Sequence, residues 1–190
     1  GAFAVDESRP SAPAASPLPP HISTFSIVAY DPDSGDYGVA VQSKYFSVGS
    51  VVPFARAGTG ALATQARGNP EHGPAGLDLM GAGIPAAEAL KQLIDKDPLR
   101  DGRQVGLVDA EGRAATYSGS QCLPWAGGKT GEHYAVQGNL LAGPQVVDAM
   151  AATFEATTGD LATRLVSAIA AGQARLLGGD RAGAVEAARR

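Results

Sequence analysis

A chain of 190 residues with 44% apolar content is long enough to bury its own core, and one domain is the default. A formal net charge of −4 argues against a nucleic-acid binder, which needs a basic face to neutralise phosphates. Cys122 is the single cysteine and His21, His72 and His133 are scattered, so neither a disulfide framework nor a metal site is expected. No apolar run approaches the roughly 20 residues that a membrane span needs.

Residues 1–23, GAFAVDESRPSAPAASPLPPHIS, are rich in proline, alanine and serine and read as an extended or flexible arm. They lack the basic start and continuous apolar stretch of a signal peptide. A cytoplasmic location is therefore expected, with export as the alternative if a leader precedes. Residues 24–190 form the expected domain.

Residues 24–30 and 37–43 predict an antiparallel hairpin, because Phe25, Ile27 and Ala29 alternate and Val39 and Val41 follow a DPDSGD turn. Val48–Phe54 and Gly60–Ala66 read as further strands. From Gly73 the apolar period changes. Leu77, Met80, Ile84, Leu90, Leu93 and Ile94 suit helices over 73–82 and 85–95, with Pro85 in a first turn. RQVGLVDAEGRAATYSG predicts a second hairpin of strands 103–109 and 113–118, and YAVQGN a short strand ending at Asn139. Helices near 144–157 and 160–174 follow, with Val147, Met150, Phe154, Leu161, Leu165 and Ile169 on their apolar faces.

Each amphipathic helix pair needs a sheet face to cover. The order strands, two helices, strands, two helices fits an α+β fold, a four-layer αββα sandwich of two mostly antiparallel sheets. The competitor is one sheet with helices on one side.

Four stretches in order, TFSIVAYDPDSGDYGVAVQSKYFSVGSVVPFARAGTGALATQA, NPEHGPAGLDLM, RQVGLVDAEGRAATYSG and WAGGKTGEHYAVQGNLLAGPQVVDAM, resemble the Ntn-hydrolase-like family known as domain of unknown function 1028. The resemblance runs from Thr24 to about Arg181. It implies the αββα sandwich of N-terminal-nucleophile hydrolases, with the TFSIVA strand directly after an initiator Met or a leader. It implies no substrate.

A residue at a mature N-terminus carries both a hydroxyl and a free α-amine. The amine's pKa of about 8 lets it take the hydroxyl proton at physiological pH. By resemblance Thr24 is the candidate nucleophile, while Ser23 precedes the matching motif. The plain alternative is that threonine is a good strand residue. With residues ahead of it, moreover, the Thr24 nitrogen is an amide and no base. Ser43 and Lys44 close the second strand beside Thr24, where they position the nucleophile and lower the amine's pKa, or where Lys44 is a solvated strand-end charge.

Gln65 and Asn69 leave an apolar strand as loop caps or as donors to a substrate carbonyl. Gln137 and Asn139 flank Gly138 at a strand-to-helix connection and are substrate contacts or loop satisfiers. Asp31, Asp33, Asp36 and Asp109 read as turn formers, Trp125 as core rather than pocket, and Cys122 as a small buried residue.

The leading expectation is a hydrolase of amide or related acyl bonds, active once Thr24 is exposed. It takes a small-molecule or peptide substrate, no cofactor, no nucleic acid and no membrane, and forms a homo-oligomer. The alternative is a non-catalytic binding or self-assembling relative. The resemblance also implies a final apolar strand after GGDRAG, whereas AGAVEAARR suits a helix or a frayed end. A sheet edge left open there is expected to be covered by a second copy.

Overall fold

Strand β1 (Thr24–Asp31) is the spine of a four-stranded sheet. The computed structural model describes residues 23–188, with side chains through 177. The first sheet runs β2 (Asp36–Ser43), β1, β8 (Tyr134–Asn139), β7 (Gly127–Gly131). The second runs β3 (Pro53–Arg56), β4 (Gly60–Ala66), β5 (Arg103–Asp109), β6 (Ala114–Ser118), and every pairing is antiparallel. The helices are α1 (His72–Gly81), α2 (Ala86–Lys96), α3 (Gln145–Ala156) and α4 (Leu161–Ala188).

The period-two alternation of β1 sorts its side chains onto two buried faces. Phe25, Ile27 and Ala29 pack against Val147, Met150 and Phe154 of α3 and Leu161 and Leu165 of α4. In the second sheet Leu62, Val105 and Leu107 face Leu77 and Met80 of α1 and Leu90 and Leu93 of α2. Fully burying one such side chain contributes about 1.5–3 kcal/mol over leaving it exposed. Val28, Ala61, Ala63, Val108 and Ala135 meet between the sheets. Helices thus cover the outer face of each sheet, and the fold is mixed α+β with two antiparallel four-stranded sheets and four helices.

Three segments differ from the sequence expectation. The apolar run from Val48 does not extend as a strand. Ser50 bonds the Ser47 carbonyl through both N–H and hydroxyl, which closes a short 3-10 turn, and strand begins only at Pro53. Strand β7 was not expected, because GGKTG offers no apolar alternation. Helix α4 continues past residue 174 to Ala188, and among the described residues no strand follows it. The arm over residues 1–22 lies outside the described residues, as do residues 189 and 190.

Pro85 precedes α2 rather than lying inside it, and the Ala86 N–H donates to Asp109 Oδ2 at 2.8 Å. Asp109, wholly enclosed, also accepts the Glu111 and Arg113 N–H groups, so one carboxylate closes the β5–β6 turn and anchors α2. Among the described residues no helix is long and apolar enough to cross a membrane.

Candidate functional site

The register of β1 builds the site. Thr24 stands opposite Ser43 on β2 and opposite Asn139 on β8, and Ser26 stands opposite Gln137. Directly paired residues share a face, and here that face looks toward the second sheet. Thr24 Oγ1 lies 2.9 Å from Ser43 Oγ, which also accepts the Tyr45 N–H at 3.0 Å. Ser23 Oγ donates to the Leu140 carbonyl at 2.6 Å, turning Ser23 away toward the helical side.

Two clefts meet at Leu140. The first, about 380 Å³, has Thr24, Thr64 and Gln65 among its lining and is walled by Val48, Val51, Val52 and Pro70. The second, about 370 Å³, is lined by Ser23, Ser43, Lys44, Pro124, Leu141 and Leu176 among others. Ala66 and Leu140, both lining the first cleft, have φ of 64° and 55°. For non-glycine residues this left-handed conformation costs on the order of 1 kcal/mol each, and such strain clusters at functional sites as well as in turns.

Behind Thr24 the space between the sheets is filled by a polar network. Gln104 is its hub: Oε1 accepts from Gln65 Nε2 at 2.8 Å and Asn139 Nδ2 at 2.9 Å, while Nε2 donates to Ser118 Oγ and the Gly138 carbonyl. Ser26 Oγ donates to Gln65 Oε1 at 2.7 Å and accepts from Gln137 Nε2 at 2.6 Å. Gly106 makes room for this layer, since a Cβ there would collide with the Gln137 carboxamide. Each satisfied bond contributes about 1 kcal/mol net, and each orphaned buried partner costs about 1–3 kcal/mol, so the network fixes one register between the sheets.

The structure therefore brings Thr24, Ser43, Gln65 and Asn139 together. Gln65 reaches the first cleft, but both its donor hydrogens are engaged, by Gln104 and the Gln137 carbonyl. Gln137 is completely buried in the network and lines neither cleft. Lys44 is exposed and stands in the second cleft with Ser43, with no ion pair among the described residues. Asn69 belongs elsewhere: its carbonyl and side chain accept the His72 and Glu71 N–H groups at the start of α1. Cys122 donates its thiol to the Arg103 carbonyl, and burial raises its pKa, which fits an inert residue. Trp125 is partly buried against the α3–α4 core.

Sequence reasoning missed Gln104 and Ser26. Their signal was a polar residue at an inward position of a strand buried on both faces. It also missed a buried charge cluster beside the first cleft. Asp97 accepts His72 Nε2 at 3.1 Å and Arg103 Nε at 2.8 Å, and Arg103 reaches on to the Arg67 carbonyl in the loop that walls the cleft. Burial lowers the His72 pKa, so its imidazole is neutral at pH 7, and His72 Nδ1 has no partner among the described residues. Burial alone would raise the Asp97 carboxyl, but the Arg103 guanidinium and the Leu99 N–H outweigh it and hold it below the usual carboxylate range. Among the described residues no group of His, Cys, Asp and Glu has the arrangement of a metal site.

A family model described as a family of unknown function, DUF1028, matches residues 24–189. The chain belongs to DUF1028. The match opens at Thr24, the first residue of β1. A protein of Silicibacter pomeroyi whose crystal structure bears the same DUF1028 family name is similar in fold, with a TM-score of 0.78 and 29% identity. The similarity covers 80% of this chain and 70% of that one. No curated protein matches the chain.

Proposed function

We propose that this DUF1028 chain is an N-terminal-nucleophile-type hydrolase of amide or related acyl bonds, with Thr24 as nucleophile once the residues before it are removed. The observation that carries the reading is the Thr24 hydroxyl, 2.9 Å from Ser43 Oγ, on the face that meets both the first cleft and the polar network. Two antiparallel sheets covered by helix pairs, with the family match opening at the first strand residue, support the Ntn-hydrolase-like assignment.

In the liberated form the Thr24 α-amine, with a pKa of about 8, takes the hydroxyl proton as Oγ1 attacks the substrate carbonyl carbon. The tetrahedral oxyanion collapses, the amine half leaves with that proton, and an ester to Thr24 forms. Water, deprotonated by the same amine, then releases the acid and restores the hydroxyl. Ser43 orients the nucleophile, Lys44 supplies positive charge that favours a neutral amine, and Asn139 and Gln65 hold the strand end rigid through Gln104. A backbone N–H at the cleft wall would stabilise the oxyanion by about 2.7–4 kcal/mol. The working form is taken to be a cytoplasmic homo-oligomer with a small-molecule or peptide substrate and no cofactor.

One observation favours a second reading. With Ser23 joined to it, the Thr24 nitrogen is an acylated amide and cannot serve as base. A chain that keeps its arm would be a ligand-binding or self-assembling relative on the same sandwich. Turnover of a panel of amides by protein whose N-terminus is Thr24, lost in Thr24→Ala, supports the hydrolase. Equal inactivity of both proteins supports the second reading.

A further inference from the structure

We infer that the first cleft takes an uncharged, apolar acyl group, which assigns the substrate class as a neutral aliphatic or aryl amide. The inference rests on reading Thr24 as the centre of the site. Its walls are Tyr45, Val48, Val51, Val52, Pro70 and Leu140, and none of the described residues lining the cleft carries a charge. The nearby Asp97 and Arg103 neutralise each other behind the wall, and Lys44 lines the other cleft. An ionised acyl group would lose its water here without gaining a counter-ion, a cost of several kcal/mol that a neutral group avoids.

The polar groups that face this cleft sit at its floor. Thr24 and Gln65 are buried there, and Thr64 Oγ1 accepts the Asn69 N–H. That arrangement suits a ligand with one polar end, the carbonyl beside Thr24, and an apolar remainder against the valines. The volume of about 380 Å³ lies at the small end of the range for small-molecule sites. It matches a medium aliphatic chain or one aromatic ring better than a peptide. Ser23 lines the second cleft and not the first.

The test uses the full chain with methyl-labelled valine and leucine, titrated by NMR with acetamide, butanamide, hexanamide and phenylacetamide. The charged probes are succinamate and 4-aminobutanamide. Expected are shifts at Val48, Val51 and Leu140 and an affinity that rises about threefold to fourfold per added methylene, the transfer preference of one CH₂. Both charged probes should bind at least tenfold more weakly than butanamide. Val51→Asp, at a half-buried rim position, should weaken hexanamide at least tenfold, and Val48→Lys repeats the test if that protein fails to fold.

A flat series, shifts that map away from the cleft, or a charged probe that binds as well as butanamide would each overturn the inference. Binding of the neutral series without turnover of the matching anilides by protein starting at Thr24 would remove the hydrolase reading and leave this one standing. Turnover that prefers a charged acyl group would do the reverse.

Discussion

The hydroxyls of Thr24 and Ser43 stand 2.9 Å apart across the first rung of the β1–β2 ladder. Ser43 Oγ is itself held by the Tyr45 N–H, so its hydroxyl hydrogen is free to point at Thr24. Removing the partner leaves Thr24 Oγ1 unoriented. Ser43→Ala should slow acylation of Thr24 in the liberated protein about fivefold, the rate equivalent of one hydrogen bond near 1 kcal/mol. Thermal stability should change little, because Tyr45 is exposed and water replaces the lost acceptor. Unchanged labelling kinetics would show that Ser43 is a strand residue only.

Gln104 joins the two sheets through Asn139 Nδ2 and the Gly138 and Gly127 carbonyls, and ties Gln65 and Ser118 of its own sheet into the same layer. Gln104→Leu fills the volume but removes the acceptor of one Gln65 Nε2 hydrogen and of Asn139 Nδ2. A loss on the order of 3 kcal/mol in unfolding free energy is expected by denaturant titration. A loss below about 1 kcal/mol would mean that water reaches the inter-sheet layer.

Gly106 tests the same layer by shape. An added methyl meets the carboxamide of Gln137, which the network pins and which has nowhere to retreat. Gly106→Ala should lower the unfolding midpoint by the equivalent of about 1–3 kcal/mol, the usual cost of overpacking a filled interior. In a Gln137→Ala background the penalty should largely vanish, which separates crowding from any backbone effect.

His72 sets a pH dependence. Its folded pKa lies below the ordinary value near 6.5, so between those two values the unfolded chain binds a proton that the folded chain does not. Stability should therefore fall as pH drops below about 6.5, by at most about 1.4 kcal/mol per pH unit, and level off beneath the folded value. The depressed Asp97 adds a second loss in the same direction only below about 4. Urea midpoints at pH 7.5, 6.5 and 5.5 should show the first step, and His72→Gln should flatten it. A midpoint that rises on acidification would contradict the assignment.

Much of the fold was legible because both sheets are covered by helices. The alternation of Phe25, Ile27 and Ala29 and the helical spacing of Val147, Met150 and Phe154 each reported one buried face. Strand β7 left no such trace, since its residues are glycines, a lysine and a threonine on a sheet edge. Val48 to Val52 misled for the opposite reason: apolar residues there line a cleft from a turn, so burial without a strand mimicked one.

The site was half legible. Thr24 and Ser43 follow from the register of one hairpin, which local sequence can set, and Asn139 from its place at a strand end, while its pairing with Thr24 is long-range. Gln65, Ser26, Gln104 and Gln137 come from four strands in two sheets, and their meeting depends on how the sheets pack, which no local pattern encodes. Asn69 looked like a site residue because it follows an apolar strand, yet its side chain accepts the Glu71 N–H and its carbonyl the His72 N–H, closing the turn that leads into α1.

Whether Thr24 is a nucleophile is settled most directly by chemistry at that residue. Protein purified from its native cells would be checked for its N-terminal residue by intact mass, then treated with a hydroxyl-directed acylating reagent and mapped by peptide mass spectrometry. The expected result is a chain starting at Thr24 that takes one acyl group on Thr24, with no adduct in Thr24→Ala. A chain that starts at Thr24 but stays unlabelled, or carries its label on another residue, would contradict the hydrolase.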